Sequence, residues 1–209
     1  MLLVPNIPAH IDFAWRAADR LGHCTLDTNL DCFLLGAISP DVRAITKRDR
    51  AEYHYVSLDF VEVGDGVRGL FAAHPELLDK AKTDETAAAF IAGYMTHLLL
   101  DESWIANVFR PKFSETQFQY DDAYSKVMDR ALQLELDRLA EQAVDRAIPL
   151  LRAVTTTIEV GIIPPATLTE YRFFALEQLG SGFSWDRLRF MARRIAGGSE
   201  KHPANRVAE

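Results

Sequence analysis

Thr83-Asp84-Glu85-Thr86-Ala87-Ala88-Ala89-Phe90-Ile91-Ala92-Gly93-Tyr94-Met95-Thr96-His97-Leu98-Leu99-Leu100-Asp101-Glu102-Ser103-Trp104 opens with the capping chemistry of Thr83, Glu85 and Thr86, then stays apolar on nearly every face from 87 to 100. A helix apolar all round has to be surrounded by other elements, so residues 83–104 predict a central, buried helix. Elsewhere strand-like alternation is nearly absent and a helical period recurs along the chain. The expectation is an all-α fold: a single-domain multi-helix bundle around this helix, spanning residues 1–197, followed by a polar tail, 198–209.

Working outward, Pro8 suits a first helical turn, and Ile11, Ala14, Trp15, Ala18 and Leu21 form an apolar stripe ending at Gly22. A short helix at Leu30–Ile38 is stopped by Ser39-Pro40, because a residue before proline is pushed away from helical dihedrals. Residues 41–51 read as a charged loop, 53–63 as a helix, Gly64-Asp65-Gly66 as a turn, and 67–78 as a helix broken near His74-Pro75. Beyond the central helix, 113–120 is a polar, aromatic connection and 121–154 one long amphipathic helix kinked at Pro149. Pro164-Pro165 and Gly180-Ser181-Gly182 then punctuate helices at 167–179 and 184–196. The β-branched run 155–163 allows one short strand, but it would have no partner.

A chain of 209 residues, 48% hydrophobic, buries roughly 70% of its unfolded surface and needs no disulfide staples. Cys24 and Cys32 form no CxxC pair and suit a reducing compartment, although a bond between them is allowed. The net charge of −7 opposes binding to nucleic acid or anionic lipid through the overall field. The start carries no signal-peptide pattern, and the apolar run 87–100 is too short to span a bilayer. These features predict a soluble, cytoplasmic protein with no transmembrane segment.

His97 and Asp101 lie four apart on the central helix, so both side chains can face one ion. The alternative is a plain His–Asp hydrogen bond. An ionised carboxylate on so apolar a helix, however, is costly unless something positive stands opposite. Asp41, after Gly36-Ala37-Ile38-Ser39-Pro40, reads alone as a turn or capping acid; His54 reads as a half-buried surface histidine, and His10 as a packed imidazole. His23 resembles a C-terminal cap, while His74 and His202 have no partner spacing.

In order, His10, the segment Gly36-x-x-x-Pro40-Asp41, His54 and Gly93-x-x-x-His97-x-x-x-Asp101 resemble the zinc-dependent phospholipase C family, which includes the α-toxin catalytic domain. The resemblance covers residues 5–105. It implies that His54, His97 and Asp101 hold a divalent metal, zinc, with Asp41 beside it as ligand or general base and catalytic residue. It also implies that His10 serves a second ion bridged by Asp101, giving one ion, two at most. Two departures reduce the set. Nine residues precede His10, where secreted members use a processed N-terminus, and Ala131-Leu132-Gln133-Leu134-Glu135 has alanine where a third-site histidine would stand.

The implied function is metal-dependent hydrolysis of phosphoric (di)esters, with a small phosphoester or a lipid-headgroup-like substrate. Arg43, Lys47, Arg48 and Arg50 could hold substrate phosphate or simply form a solvated loop. A different class stays open: a helical scaffold with a structural or vestigial metal, whose helix 121–154 serves partner binding or a homo-oligomer.

Overall fold

In the computed structural model, which describes residues 5–79, 83–114, 122–155 and 157–195, the chain is a succession of helices. They are α1 (Ile7–Leu21), α2 (Cys24–Thr28), α3 (Leu30–Ile38), α4 (Arg43–Thr46), α5 (Ala51–His54), α6 (Asp65–Ala73) and α7 (Glu85–Trp104), then α8 (Asp122–Leu139), α9 (Glu141–Ala153), α10 (Pro165–Gly180) and α11 (Asp186–Ile195). Short 3-10 turns at Ser39–Val42 and Pro75–Leu78 and a π-helical stretch, Ile105–Ser114, complete the set. Among the described residues there is no strand, and no helix is long and apolar enough to cross a membrane. The all-α, single-domain bundle expected from the sequence is the fold observed.

The centre is α7, on which no residue from 86 to 106 is exposed. Its cap is Asp84, not Thr83: the Asp84 carboxylate accepts from the Ala87 N–H at 2.7 Å. α3 crosses α7 at two glycines, each placed against the other helix's backbone. A Cβ on Gly36 would stand 2.0 Å from the Phe90 carbonyl oxygen, and one on Gly93 would stand 1.9 Å from that of Phe33. Around this pair lie α1, α6 and α9, with Phe33, Leu34, Ile38, Phe90, Tyr94 and Leu98 in the core. A smaller cluster of Val127, Leu134, Leu188 and Ala192 joins α8 to α11.

Several boundaries differ from the sequence expectation, each for a local reason. Of the loop expected at 41–51 only 47–50 is irregular, because the 3-10 turn runs directly into α4. The helix expected at 53–63 ends at His54, where Tyr55 adopts a left-handed backbone (φ 57°). The chain then turns back so that Glu102, on α7, accepts the N–H groups of Gly64 and Gly66, the latter at 2.7 Å. The central helix continues past Trp104 as the π stretch, and the rest of the expected connection, 115–120, lies outside the described residues. Helix 121–154 is divided at Ala140 into α8 and α9, and Pro149 sits inside α9. Residues 157–160 have no regular structure and 161–163 bend, without strand pairing, and Ile158, Val160 and Ile163 are buried. His23 caps the start of α2, accepting from the Thr25 N–H at 3.3 Å, while Gly22 (φ 54°) closes α1. Cys24 and Cys32 are both free thiols. Residues 196–209, with His202, lie outside the described residues.

The glycine crossing gives a stability prediction. Gly93→Ala forces a methyl into the α3 backbone, which cannot rotate away as a side chain can. Overpacking of this kind costs about 3 kcal/mol or more, equivalent to a Tm fall of roughly 6–12 °C in a domain this size. Gly180→Ala, whose Cβ meets nothing within 4 Å, leaves the Tm within about 2 °C of wild type. Thermal melts followed by circular dichroism check both, and an unaltered Gly93→Ala melt would contradict the close crossing.

Candidate metal centre

Four elements bring the five residues singled out in the sequence into one buried cluster. His10 comes from the first turn of α1, Asp41 from the 3-10 turn after α3, His54 from the end of α5, and His97 and Asp101 from α7. His10, His54, His97 and Asp101 are each no more than 1% exposed. Asp41 is partly covered and lines a cleft.

The backbone sets the chemistry of two imidazoles. His97 Nδ1 lies 2.9 Å from the Ala37 carbonyl oxygen, and His54 Nδ1 lies 3.2 Å from that of Arg50. A carbonyl oxygen only accepts, so each Nδ1 carries a proton, and the neutral form of either ring presents its bare Nε2 lone pair inward. Those two Nε2 atoms are 3.3 Å apart. Asp101 Oδ2 completes the triangle, 3.1 Å from His54 Nε2 and 3.7 Å from His97 Nε2. Three electron-rich atoms this close repel one another unless a cation or shared proton lies among them. Ligands about 2.0–2.1 Å from a tetrahedral zinc are about 3.4 Å apart, close to the observed edges.

Asp101 has a second face. Its Oδ1 lies 3.3 Å from His10 Nε2, and neither atom has a hydrogen-bond partner. The His10 ring stacks on His97 with centroids 3.6 Å apart and planes 6° from parallel. Asp41 Oδ1 is likewise buried without a partner, and ligand atoms of His10, Asp41 and His97 fall within 4.8 Å of one another. The donor set, imidazole nitrogens and carboxylate oxygens with unfilled valences, suits a divalent ion of the zinc type.

Arg50 also reaches the cluster. Its Nη2 donates to Asp101 Oδ2 at 2.9 Å, and its backbone carbonyl is the acceptor that orients His54. Burial alone would neutralise Asp101, but the imidazoles of His97, His10 and His54 outweigh it and hold the carboxyl well below the usual carboxylate range. Burial, then the neighbouring Asp101 charge, pushes Asp41 upward. Burial, reinforced by His10, holds His97 well below the ordinary imidazole value, keeping it neutral as a ligand must be.

The four basic residues near Asp41 separate in space. Arg48 reaches Glu52 on the surface at 3.3 Å, Arg50 is buried on Asp101, and Arg43 and Lys47 line the cleft beside Asp41. Glu135 is half-exposed and forked by Arg138 at 2.6 and 2.8 Å, so it faces away from the cluster. Reading the sequence missed the metal-side role of Arg50, although it stands four residues before His54, the spacing that puts both on one helical turn. The sequence gives Glu102 no role beyond following Asp101 on the central helix. Glu102 instead fixes the loop after His54 by receiving the start of α6. Tyr171, Gln178 and Arg187, which wall the cleft from α10 and α11, carried no sequence signal.

Comparison with models of protein families, with curated proteins and with solved structures finds no match. The cluster therefore stands on its own geometry.

That geometry predicts a coupling between metal and stability. Protein purified without chelator is expected to carry about one divalent ion per chain, two at most, and chelation lowers its Tm, since a ligand bound only by the folded state stabilises it. Asp101→Asn loses the chelator sensitivity; His23→Ala and His74→Ala keep it, His74 being paired with Glu76 away from the cluster. Elemental analysis together with melts with and without chelator checks this. A metal-responsive melt in Asp101→Asn would place the ion elsewhere.

Proposed function

We propose that this protein is a metal-dependent hydrolase of phosphoric esters, phospholipase C-like in its chemistry, with the ion held by His54, His97 and Asp101. One observation carries the reading. Two imidazoles with carbonyl-fixed tautomers and a carboxylate converge at tetrahedral-edge distances, and Asp41 next to them opens onto a cleft of about 490 Å³. Catalytic zinc takes three protein ligands and keeps a fourth position for substrate or water, and three ligands with Asp41 on the cleft suit that arrangement.

A divalent ion held there supplies Lewis acidity, making water a nucleophile near neutral pH and offsetting charge on a phosphoryl oxygen. The chain supplies the rest. Asp41, raised by burial and by the Asp101 charge, accepts the proton of the attacking water. Arg50 keeps Asp101 from rotating away, and Ala37 keeps His97 Nε2 aimed inward. His10, stacked on His97 and in contact with Asp101, would be the residue to hold a second ion beside Asp101.

The second reading, a helical scaffold with a structural ion, is favoured by the near-complete burial of His10, His54, His97 and Asp101. Activity separates the two. Metal-reconstituted protein is expected to cleave bis(p-nitrophenyl) phosphate weakly, with little action on phosphatidylcholine vesicles. Asp41→Asn removes turnover by about 10²–10⁴-fold, the loss usual for a general base, while leaving metal content largely intact. His97→Ala is the control, because activity that survives it is contamination. If fully metallated protein hydrolyses none of a broad set of monoesters, diesters and nucleotides, the scaffold reading replaces this one.

A further inference from the structure

We propose that the cleft beside Asp41 contains an oxyanion subsite, built by Tyr171, Arg43, Lys47 and Arg187, that takes a phosphate group of the substrate through the chain's own donors rather than through the ion. The proposal deepens the phosphoric-ester reading and rests on it for the identity of the substrate.

The primary observation is a hydroxyl with nothing to bond. Tyr171, on α10, is 0% exposed and lines the cleft, yet its Oη has no hydrogen-bond partner. Leaving a buried hydroxyl unsatisfied costs about 1–3 kcal/mol, and a ligand oxygen in the cleft removes that cost. A second unfilled donor stands in the same lining: Arg43 Nε is buried and without a partner.

Charge points to the same ligand. The chain carries −7 overall, but this lining holds Arg43, Lys47 and Arg187 against a single carboxylate, Asp41. Three cations and a phenolic donor exceed what one carboxylate ligand needs and match the several acceptor oxygens of a phosphate dianion. Leu134, Phe174 and Met191 make much of the remaining wall, so the phosphate belongs to a molecule with an apolar portion. The arrangement also gives the C-terminal helices a function: α10 and α11 bring Tyr171 and Arg187 to a site whose metal residues all come from α1 to α7.

The test measures binding of inorganic phosphate by calorimetry, at constant ionic strength, to full-length protein in zinc-loaded and chelator-treated forms. Phosphate is expected to bind both forms. Tyr171→Phe weakens it about 5–10-fold and leaves the Tm equal or higher, since the substitution removes an unsatisfied buried hydroxyl. Arg187→Gln and Arg43→Gln each weaken it about 10-fold or more, as loss of a charge-assisted bond does. Arg187, the more peripheral side chain, keeps the test open if Tyr171→Phe does not fold. Phosphate that binds only zinc-loaded protein, with the same affinity in all three variants, overturns the subsite and leaves the hydrolase reading standing. Variant-sensitive binding in a protein that takes up no metal sustains the subsite and sinks the metal reading instead. Absence of binding to either form overturns the proposal.

Discussion

Gly36 and Gly93 let two helix backbones touch, and the site depends on that contact. With any side chain at either position, α3 would stand off from α7 by about the thickness of a methyl group. Because it does not, the Ala37 carbonyl, one residue past Gly36, comes within 2.9 Å of His97 Nδ1, one turn past Gly93. That bond decides which imidazole nitrogen is bare and where it points. The packing of two apolar helices and the orientation of a metal ligand are therefore one structural fact, which explains why both candidate motifs begin with glycine.

Asp101 is the other half of the arrangement. An ionised carboxylate that is 0% exposed needs a positive charge and polar contacts around it, and the fold supplies the charge through Arg50 and the contacts through two imidazoles. Arg50 comes from the residue before α5, His54 from the end of that helix, and His10 from α1. Glu102, the next residue on α7, holds the loop that follows His54 by receiving the first N–H groups of α6. Adjacent acids on one buried helix thus divide the work, one toward the cation and one toward the chain that delivers His54.

Much of this was legible in the sequence because it depends on local rules. An apolar run without an exposed face implies a central helix, and His97 with Asp101 implies one shared face. Proline and glycine stops gave α1, α3 and α10 nearly as observed. What could not be read depends on tertiary contact. Nothing local ends α5 at His54, where Tyr55 turns left-handed and the segment that follows is tied to α7 through Glu102. Arg50 looks like one of four loop cations until the fold buries it on Asp101. The cleft wall joins α4 to α10 and α11, more than a hundred residues further along the chain, and no spacing records that.

The electrostatic result is a buried cluster in which Asp101 and the inward Nε2 atoms face one another and Asp41 lines a cationic cleft. Such a cluster is self-consistent with a cation inside it and frustrated without one. The direct measurement is an anomalous difference map from crystals of zinc-reconstituted protein, recorded on both sides of the zinc edge. The account predicts a peak about 2.0–2.1 Å from His54 Nε2, His97 Nε2 and Asp101 Oδ2. No peak there, with the two histidines instead sharing a proton, would contradict it.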